Sequence, residues 1–353
     1  MKEIPKVDLK DDFCQKMWNR IYRSMQAPFF ELAVKTGLFD RLTQPLTLPE
    51  LAEAMGFDQT AAKPFLEVLR SMGLVELHDG RYVNHPQTSR FFTADSQISH
   101  LPSYQGVVAM IYGILDELEN LLKEGGDKYR DKLTGDQALD DEARWSHAAR
   151  SMLGGGLHQA QLLLPHLKAL PEWQSFRRMM DLGGGPGSYC LVFVSEHPHL
   201  EGVIFDQKAV AAEADKIIGE YGLETRIKAQ AGDYLNDDQL GSGYDFIWSC
   251  ATLNFAKGQL VPLFTKIHQA LNPGGIFASY HPSITGSGED SWEMVVGMAP
   301  HAMLGIDLQF YDSEVAHAML EAGFQSVESK DVKAIHGPQR LDLARKAKDS
   351  TSP

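Results

Sequence analysis

The chain has little cysteine, no surplus of positive charge and no apolar run long enough to span a bilayer. Cys14, Cys190 and Cys250 are its only cysteines. Three scattered thiols make no disulfide framework and lack metal-ligand spacing, so no metal site is expected; the odd count suits a reducing cytosol. The formal net charge of −14 argues against nucleic acid or an anionic membrane as partner. The opening MKEIPKVDLKDD mixes charges and has no apolar core, so it does not read as a signal peptide. Internal repeats and low-complexity blocks are also missing, and the polar end ARKAKDSTSP reads as frayed. What is left is a 353-residue chain, 43% hydrophobic, ordinary for a globular protein and long enough for two domains. A cytoplasmic location is expected.

The stretch Phe176 to Gly187, FRRMMDLGGGPG, organises the rest. An apolar approach ends in Asp181 and runs into three glycines, Pro186 and Gly187; SYCLVFVSEH then reads as a helix stopped by Pro198. The pattern is strand, tight turn, helix. Glycines let the backbone turn at positive φ and let a ligand approach the main chain. The helix start offers unpaired N–H groups to an anionic ligand group. The dinucleotide fingerprint G-x-G-x-x-G/A fails, because its last position is Ser188 counted from Gly183 and Cys190 counted from Gly185. The Gly-Lys-Ser/Thr ending of a P-loop is missing as well.

Upstream, Phe13, Met17, Ile21 and Met25 recur at helical spacing, and FFELAVKTGLFDRL continues after Pro28. Leu48–Met55 reads as a short helix ended by Gly56, and Asp58 as the cap of a second, Gln59–Met72. LVEL and RYVN flank Asp79-Gly80, a strong hairpin signal. Two helices and a two-stranded wing make a winged helix-turn-helix. DNA binding is disfavoured, because the second helix carries only Lys63 and Arg70 as cations. GVVAMIYGILDELENLLKEG reads as one amphipathic helix with Val107, Ile111, Ile114, Leu118 and Leu121 along a stripe. A second helical stretch, ARWSHAARSMLGGGLHQAQLLLPHL, is expected to be interrupted at Gly154-Gly155-Gly156, as a kink, a hinge or a place of close approach.

Downstream, strands alternate with helices. GVIFD ends in Asp206, about 20 residues past the turn, where a carboxylate can take both donors of a ribose diol. Arg226–Ala231 reads as a strand running into Gly232-Asp233-Tyr234, and YDFIWSC, Tyr244 to Cys250, as a buried parallel strand. A doubly wound, mostly parallel α/β sheet follows, with its ligand crevice at the carboxyl ends of the strands.

DLGGGPG resembles motif I of class I S-adenosylmethionine-dependent methyltransferases, in the DxGGGxG form of small-molecule O-methyltransferases. GDYL is similar to their GDFF-type motif, and the helix-PGG-strand at Pro273 to Tyr280 to their LxPGGxL motif. The resemblance implies a Rossmann-like methyltransferase sheet over 171–353, a pocket-lining helical connector over 99–170 and a winged-helix dimerisation domain over 1–98. It implies S-adenosylmethionine as cofactor, a small-molecule methyl acceptor and a homodimer built on the apolar amino-terminal helices. Cofactor-binding residues are then Asp181, Gly183, Gly185, Gly187, Asp206, Gln207, Gly232, Asp233, Tyr234 and Ser249. The acceptor pocket would draw on Met110, Met152, His158, Cys250, Leu253 and Asn254, although simple packing explains Met152 and His158 equally well.

One departure stands out. Such enzymes carry a His-Asp-Trp-like tripeptide whose His deprotonates the acceptor, and it falls here on Leu253-Asn254-Phe255. No His lies between His199 and His268 to replace it. Candidates for a substitute are His158 and His281, with Asn254 a weaker one that takes no proton at neutral pH. Leu253 is expected to face the acceptor and keep the pocket dry, which favours readily ionised acceptors over ordinary phenols. A non-methylating relative, or a winged-helix regulator that senses the cofactor, is the alternative.

Overall fold

The computed structural model describes residues 12–129, 142–284, 292–311 and 313–349, with the side chains of 107–111, 142 and 144 outside that description. The expected pocket residue Met110 therefore lies outside the described side chains. The chain divides into two compact units, Met1–Leu101 and Pro102–Pro353.

The first unit begins with helices α1 (Phe13–Ser24), α2 (Ala27–Lys35) and α3 (Leu38–Arg41). Strand β1 (Leu46–Thr47) leads into α4 (Leu48–Met55) and α5 (Gln59–Ser71), and then come β2 (Val75–His78), β3 (Arg81–Asn84) and α6 (Pro86–Phe92). Helix α4 starts with a capping box: the Glu50 N–H donates to Thr47 Oγ1, and the Thr47 N–H to the Glu50 carboxylate at 2.7 Å. Asp58 caps α5 by accepting the Ala61 N–H at 2.9 Å. Asp79 and Gly80 both have positive φ, 50° and 79°, which suits a two-residue hairpin turn. The wing gains a third strand, in the order β1-β3-β2. Of the two cations on α5, Arg70 is occupied by Glu67 at 2.6 Å.

The second unit carries helices α7 (Leu101–Leu115), α8 (Leu118–Glu124) and α9 (Glu142–Lys168) ahead of the sheet. The single amphipathic helix expected around 106–125 is broken between α7 and α8. Its last turn tightens, with the Glu117 N–H donating to the Ile114 carbonyl, and Ile114 and Leu121 join a buried cluster with Leu304. The expected interruption at Gly154 to Gly156 does not occur, since α9 runs through it. Close approach is what uses Gly156: a Cβ there would lie 2.5 Å from Ser188 Oγ and 2.7 Å from Ser188 Cβ.

The sheet alternates strand and helix: β4 (Arg178–Leu182), α10 (Ser188–Glu196), β5 (Glu201–Asp206), α11 (Lys208–Glu220), β6 (Ile227–Ala231), β7 (Tyr244–Cys250), α12 (Leu260–Ala270) and β8 (Leu271–His281). Short β9 (Ser283–Ile284), α13 (Trp292–Met303), β10 (Phe310–Tyr311) and α14 (Glu314–Glu321) precede the closing hairpin β11 (Ser326–Ala334) and β12 (Gly337–Arg345). Seven strands lie in the order β11-β12-β8-β7-β4-β5-β6, with β12 antiparallel to both neighbours and β4 to β8 parallel. Strand β7 is apolar because helices cover both its faces; Phe246, Ile247, Trp248 and Ser249 have no exposed surface. One face stacks aromatics, Phe176 on Phe246 at 5.1 Å and Phe193 edge-on to Trp248 at 5.3 Å. Among the described residues no helix is long and apolar enough to cross a membrane.

Helix α9 is tied to α11 by charge. Arg150 Nε donates to Glu213 at 2.7 Å, and its two terminal nitrogens take Glu220 in a fork, each at 2.7 Å. Ser146 and Lys216 complete the shell of Glu213 at 3.0 and 2.9 Å. Burial pushes the Glu213 carboxyl up, but the bonds from Lys216, Arg150 and Ser146 outweigh it and hold it at about 2. Arg150→Ala should cost about 1–2 kcal/mol, less than a fully buried pair because the arginine is partly exposed. The folded value lies below the ordinary 4.5, so the stabilisation is complete above that pH and is lost as pH falls toward 2. Thermal unfolding of wild type and variant should therefore differ by several degrees near about pH 7, draw together below about pH 4.5 and converge near about pH 2. An equal gap at both pH values would show that the network is not its source.

Candidate functional site

Strand order reverses between β4 and β7, and a crevice at the carboxyl ends of the strands is the ordinary ligand site of such sheets. Asp181, near the end of β4, is 1% exposed and accepts the N–H of Cys190, in the first turn of α10, at 3.1 Å. Burial raises its carboxyl to about 7, against the pull of the Cys190 bond and with Asp206 adding to the rise. The glycine turn is pinned to β5: the Gly183 N–H donates to the Phe205 carbonyl at 2.8 Å, and the Gly185 N–H to Asp206 Oδ2 at 2.8 Å. The other oxygen of Asp206 accepts the Gln207 N–H at 2.7 Å. Burial raises this carboxyl too, against those two bonds. Each oxygen keeps a lone pair for a ligand hydroxyl. Gln207 itself is exposed.

The glycines serve different needs. Gly183, at φ +63°, has Thr252 pressed on it: a Cβ would lie 2.3 Å from its Oγ1 and 2.7 Å from its Cβ. Gly185, at φ +57°, would direct a Cβ into open space with nothing within 4 Å. Gly187 and Gly232 leave room for Ile204 and for the Phe205 ring. Gly185 is thus the point where the turn is bare, with open space where a side chain would stand.

On the β6 side, Asp233 caps its own loop. Its carboxylate accepts from Asn236 Nδ2 at 2.7 Å and the Leu235 N–H at 2.9 Å, and these bonds hold it below the usual range. The Tyr234 hydroxyl reaches Thr252, 2.8 Å from its Oγ1 and 3.0 Å from its carbonyl oxygen. Ser249, at the end of β7, is wholly buried and its Oγ has no hydrogen-bond partner.

Among the described residues, the expected acceptor residues fall in different settings. Leu253 does not face open space: it is 0% exposed, in a buried cluster that includes Leu182, Phe205, Phe264 and Phe310. A 3-10 turn over Leu253–Ala256 directs it into the core, so it cannot dry a pocket it does not line. Asn254 is buried, and its amide donates to the Leu308 carbonyl, a packing role. His281 is 1% exposed, held by Ser279 Oγ at 3.0 Å and 3.6 Å from Asp342; burial and Arg340 push it down to about 3. It is neutral but out of reach of an acceptor. Met152 is exposed and His158 half-buried, both on α9. Phe255 is 61% exposed.

Cys250 is half-buried and belongs to a cluster that sequence patterns do not reveal. Its Sγ–H donates to the Tyr189 oxygen at 3.0 Å, and Gln159 Nε2 donates to the same oxygen at 3.1 Å. Burial pushes the Cys250 thiol up to about 12, so it stays protonated. With both lone pairs of Tyr189 taken, its own proton is left to a third group. Gln159 and Thr252 carried no signal in sequence, since their partners lie far along the chain; Tyr189 had only its place after the glycine turn.

A parallel sheet with an antiparallel β12 inserted at one side, and a glycine turn braced by two carboxylates, define a class I methyltransferase. The chain is an S-adenosylmethionine-dependent methyltransferase: the model of the O-methyltransferase domain matches residues 116–280. The N,N-dimethyltransferase OxyT of Streptomyces rimosus is 26% identical over 88% of this chain and 91% of its own. The tetracenomycin polyketide synthesis 8-O-methyl transferase TcmO of Streptomyces glaucescens is 26% identical over 89% and 91%. The fold is that of human N-acetylserotonin methyltransferase in complex with SAM, with TM-score 0.75, 20% identity and coverage of 97% of this chain and 100% of that one.

The contrast between two glycines is measurable by denaturant unfolding. Gly183→Ala combines left-handed strain with collision against Thr252 and should cost about 2–4 kcal/mol. Gly185→Ala carries strain alone, about 1–2 kcal/mol. Equal losses at the two positions would contradict the placement of Thr252.

Proposed function

We propose that this methyltransferase binds S-adenosylmethionine along Asp181–Gly187, Asp206 and Gly232–Tyr234 and transfers methyl to a small molecule by positioning, without a general base at Leu253. The residues fit the cofactor. Gly185 leaves a bare cradle, Asp206 has lone pairs for ribose hydroxyls, and Ser249 has an orphaned hydroxyl among the strand ends. When bound, S-adenosylmethionine supplies a methyl group already activated on a sulfonium. The chain's own residues then have to orient and exclude water.

The observation that carries the baseless reading is the content of Ser249–Ala256. Its side chains take no proton at neutral pH, Asn254 is committed to Leu308, and His281 is buried behind Ser279 and Asp342. An acceptor that brings its own lone pair or ionises unaided fits such a site: an amine, a thiolate or an acidic hydroxyl. That OxyT is named an N,N-dimethyltransferase supports the amine among these. We assign the Tyr189 hydroxyl, which accepts from Cys250 and Gln159 and keeps its own proton to donate, to holding an acceptor oxygen or nitrogen rather than to deprotonating it.

The test has two parts. Calorimetry should detect S-adenosylhomocysteine binding that Gly185→Val abolishes. A panel of amines, thiols and phenols graded by pKa should then give rates whose pH dependence follows each acceptor's own ionisation. A common enzyme pKa near about 6.5 across the panel, removed by His158→Ala, would establish a hidden base and refute the proposal.

The same reading makes the protein a homodimer through its first helices. Helix α1 buries no residue, yet presents Phe13, Trp18, Ile21 and Tyr22, with Met25 just past its end, at 44–65% exposure. A contiguous apolar face of this size favours association. Light scattering should give about twice the chain mass. Trp18→Asp with Ile21→Asp should give the monomer, and a wild type that is monomeric across a dilution series would refute the assignment.

A further inference from the structure

The sheet order puts β6 and β7 on opposite sides of β4 and β5, so their carboxyl ends are about 14 Å apart, three strand spacings. The loops that follow them nonetheless touch. The Tyr234 hydroxyl is 3.0 Å from the Thr252 carbonyl oxygen and 2.8 Å from Thr252 Oγ1. Tyrosine has one proton, which the carbonyl takes, so the Thr252 hydroxyl donates back. We infer that Tyr234 and Thr252 form a strut across the ligand crevice that sets its width and backs the glycine turn, which makes both of them positioning residues for S-adenosylmethionine. The inference rests on the cofactor reading given above.

Both ends of the strut are anchored. Lys266 Nζ donates to the Tyr234 carbonyl at 2.6 Å and to the Leu235 carbonyl at 3.1 Å, holding the loop after β6 against α12. At the other end Ala251 has φ 51°, a left-handed conformation that a non-glycine residue keeps only where its surroundings hold it there. The next residue is Thr252, 7% exposed, and its side chain bears on Gly183. The strut therefore meets the turn at the glycine that cannot accept a Cβ. A phenylalanine at 234 would fill the same volume, so packing alone does not account for the hydroxyl. A crevice whose walls are tied before the ligand arrives need not be ordered by it, and that saving appears as affinity.

Calorimetry with S-adenosylhomocysteine on the full chain tests this. Tyr234→Phe should weaken binding about 5–20-fold. Thr252→Val, which keeps the carbonyl acceptor, should weaken it about 3–10-fold, and Thr252→Ser should restore it. The double variant Tyr234→Phe with Thr252→Val should bind no worse than Tyr234→Phe alone, because both remove one interaction. A merely structural role would lower the thermal midpoint of the free protein and leave the Kd, measured well below that midpoint, unchanged. Wild-type affinity in Tyr234→Phe, or additive losses, would overturn the strut while leaving the cofactor reading intact. A wild type that takes up no S-adenosylhomocysteine would overturn both.

Discussion

The hydrogen bond from the Cys190 N–H to the buried carboxylate of Asp181 joins the end of β4 to the start of α10, and the glycine turn hangs between them. A carboxylate with 1% exposure is costly to ionise, which is why its titration moves to about 7. The chain tolerates it because a backbone donor at a helix start meets it. Asp206 repeats the device one strand over, gripping the Gly185 and Gln207 N–H groups. Two carboxylates thus present the backbone of the turn at a fixed height above the sheet. The remaining walls of the crevice are referred to that height: Thr252 rests on Gly183, and Tyr234 reaches Thr252.

The same turn fixes the helix that runs over it. Ser188, the first residue of α10, sits against Gly156 and donates its hydroxyl to the Leu153 carbonyl at 3.2 Å, so α9 passes within backbone distance of α10. Further back along α9, Arg150 locks onto Glu213 and Glu220 of α11. Helix α9 therefore cannot slide along the sheet, and Gln159 arrives beside Tyr189 and Cys250. The polar cluster of Gln159, Tyr189 and Cys250 is a consequence of how the glycine turn and the start of α10 pack against α9.

Leu253 has a different physical role from the one that its position in sequence suggests. Leucine at 253 does not present an apolar wall to an acceptor; it completes the core beneath the 3-10 turn. The neighbouring polar group, Asn254, together with Lys257, fastens that turn to Leu308, Gln309 and Asp307. The turn is built as a structural brace.

Much was legible in the residues alone. The glycine turn, the strand ending in Asp206, the capped helices of the winged unit and its hairpin are local, because each depends on a few adjacent residues whose backbone preferences and periodicity carry the information. The class of protein followed from the same short stretch. What only the tertiary structure decided is non-local. One helix became α7 and α8, since Ile114 and Leu121 turn toward Leu304. The glycines at 154 to 156 stayed helical, since Ser188 needs the space above Gly156. Leu253 faces the core rather than a ligand. Tyr234 with Thr252, and Gln159 with Tyr189 and Cys250, meet across 18 to 91 positions of chain. No local preference encodes such a meeting. It is set by strand order and by how closely two helices can pack, and those exist only once the sheet has formed.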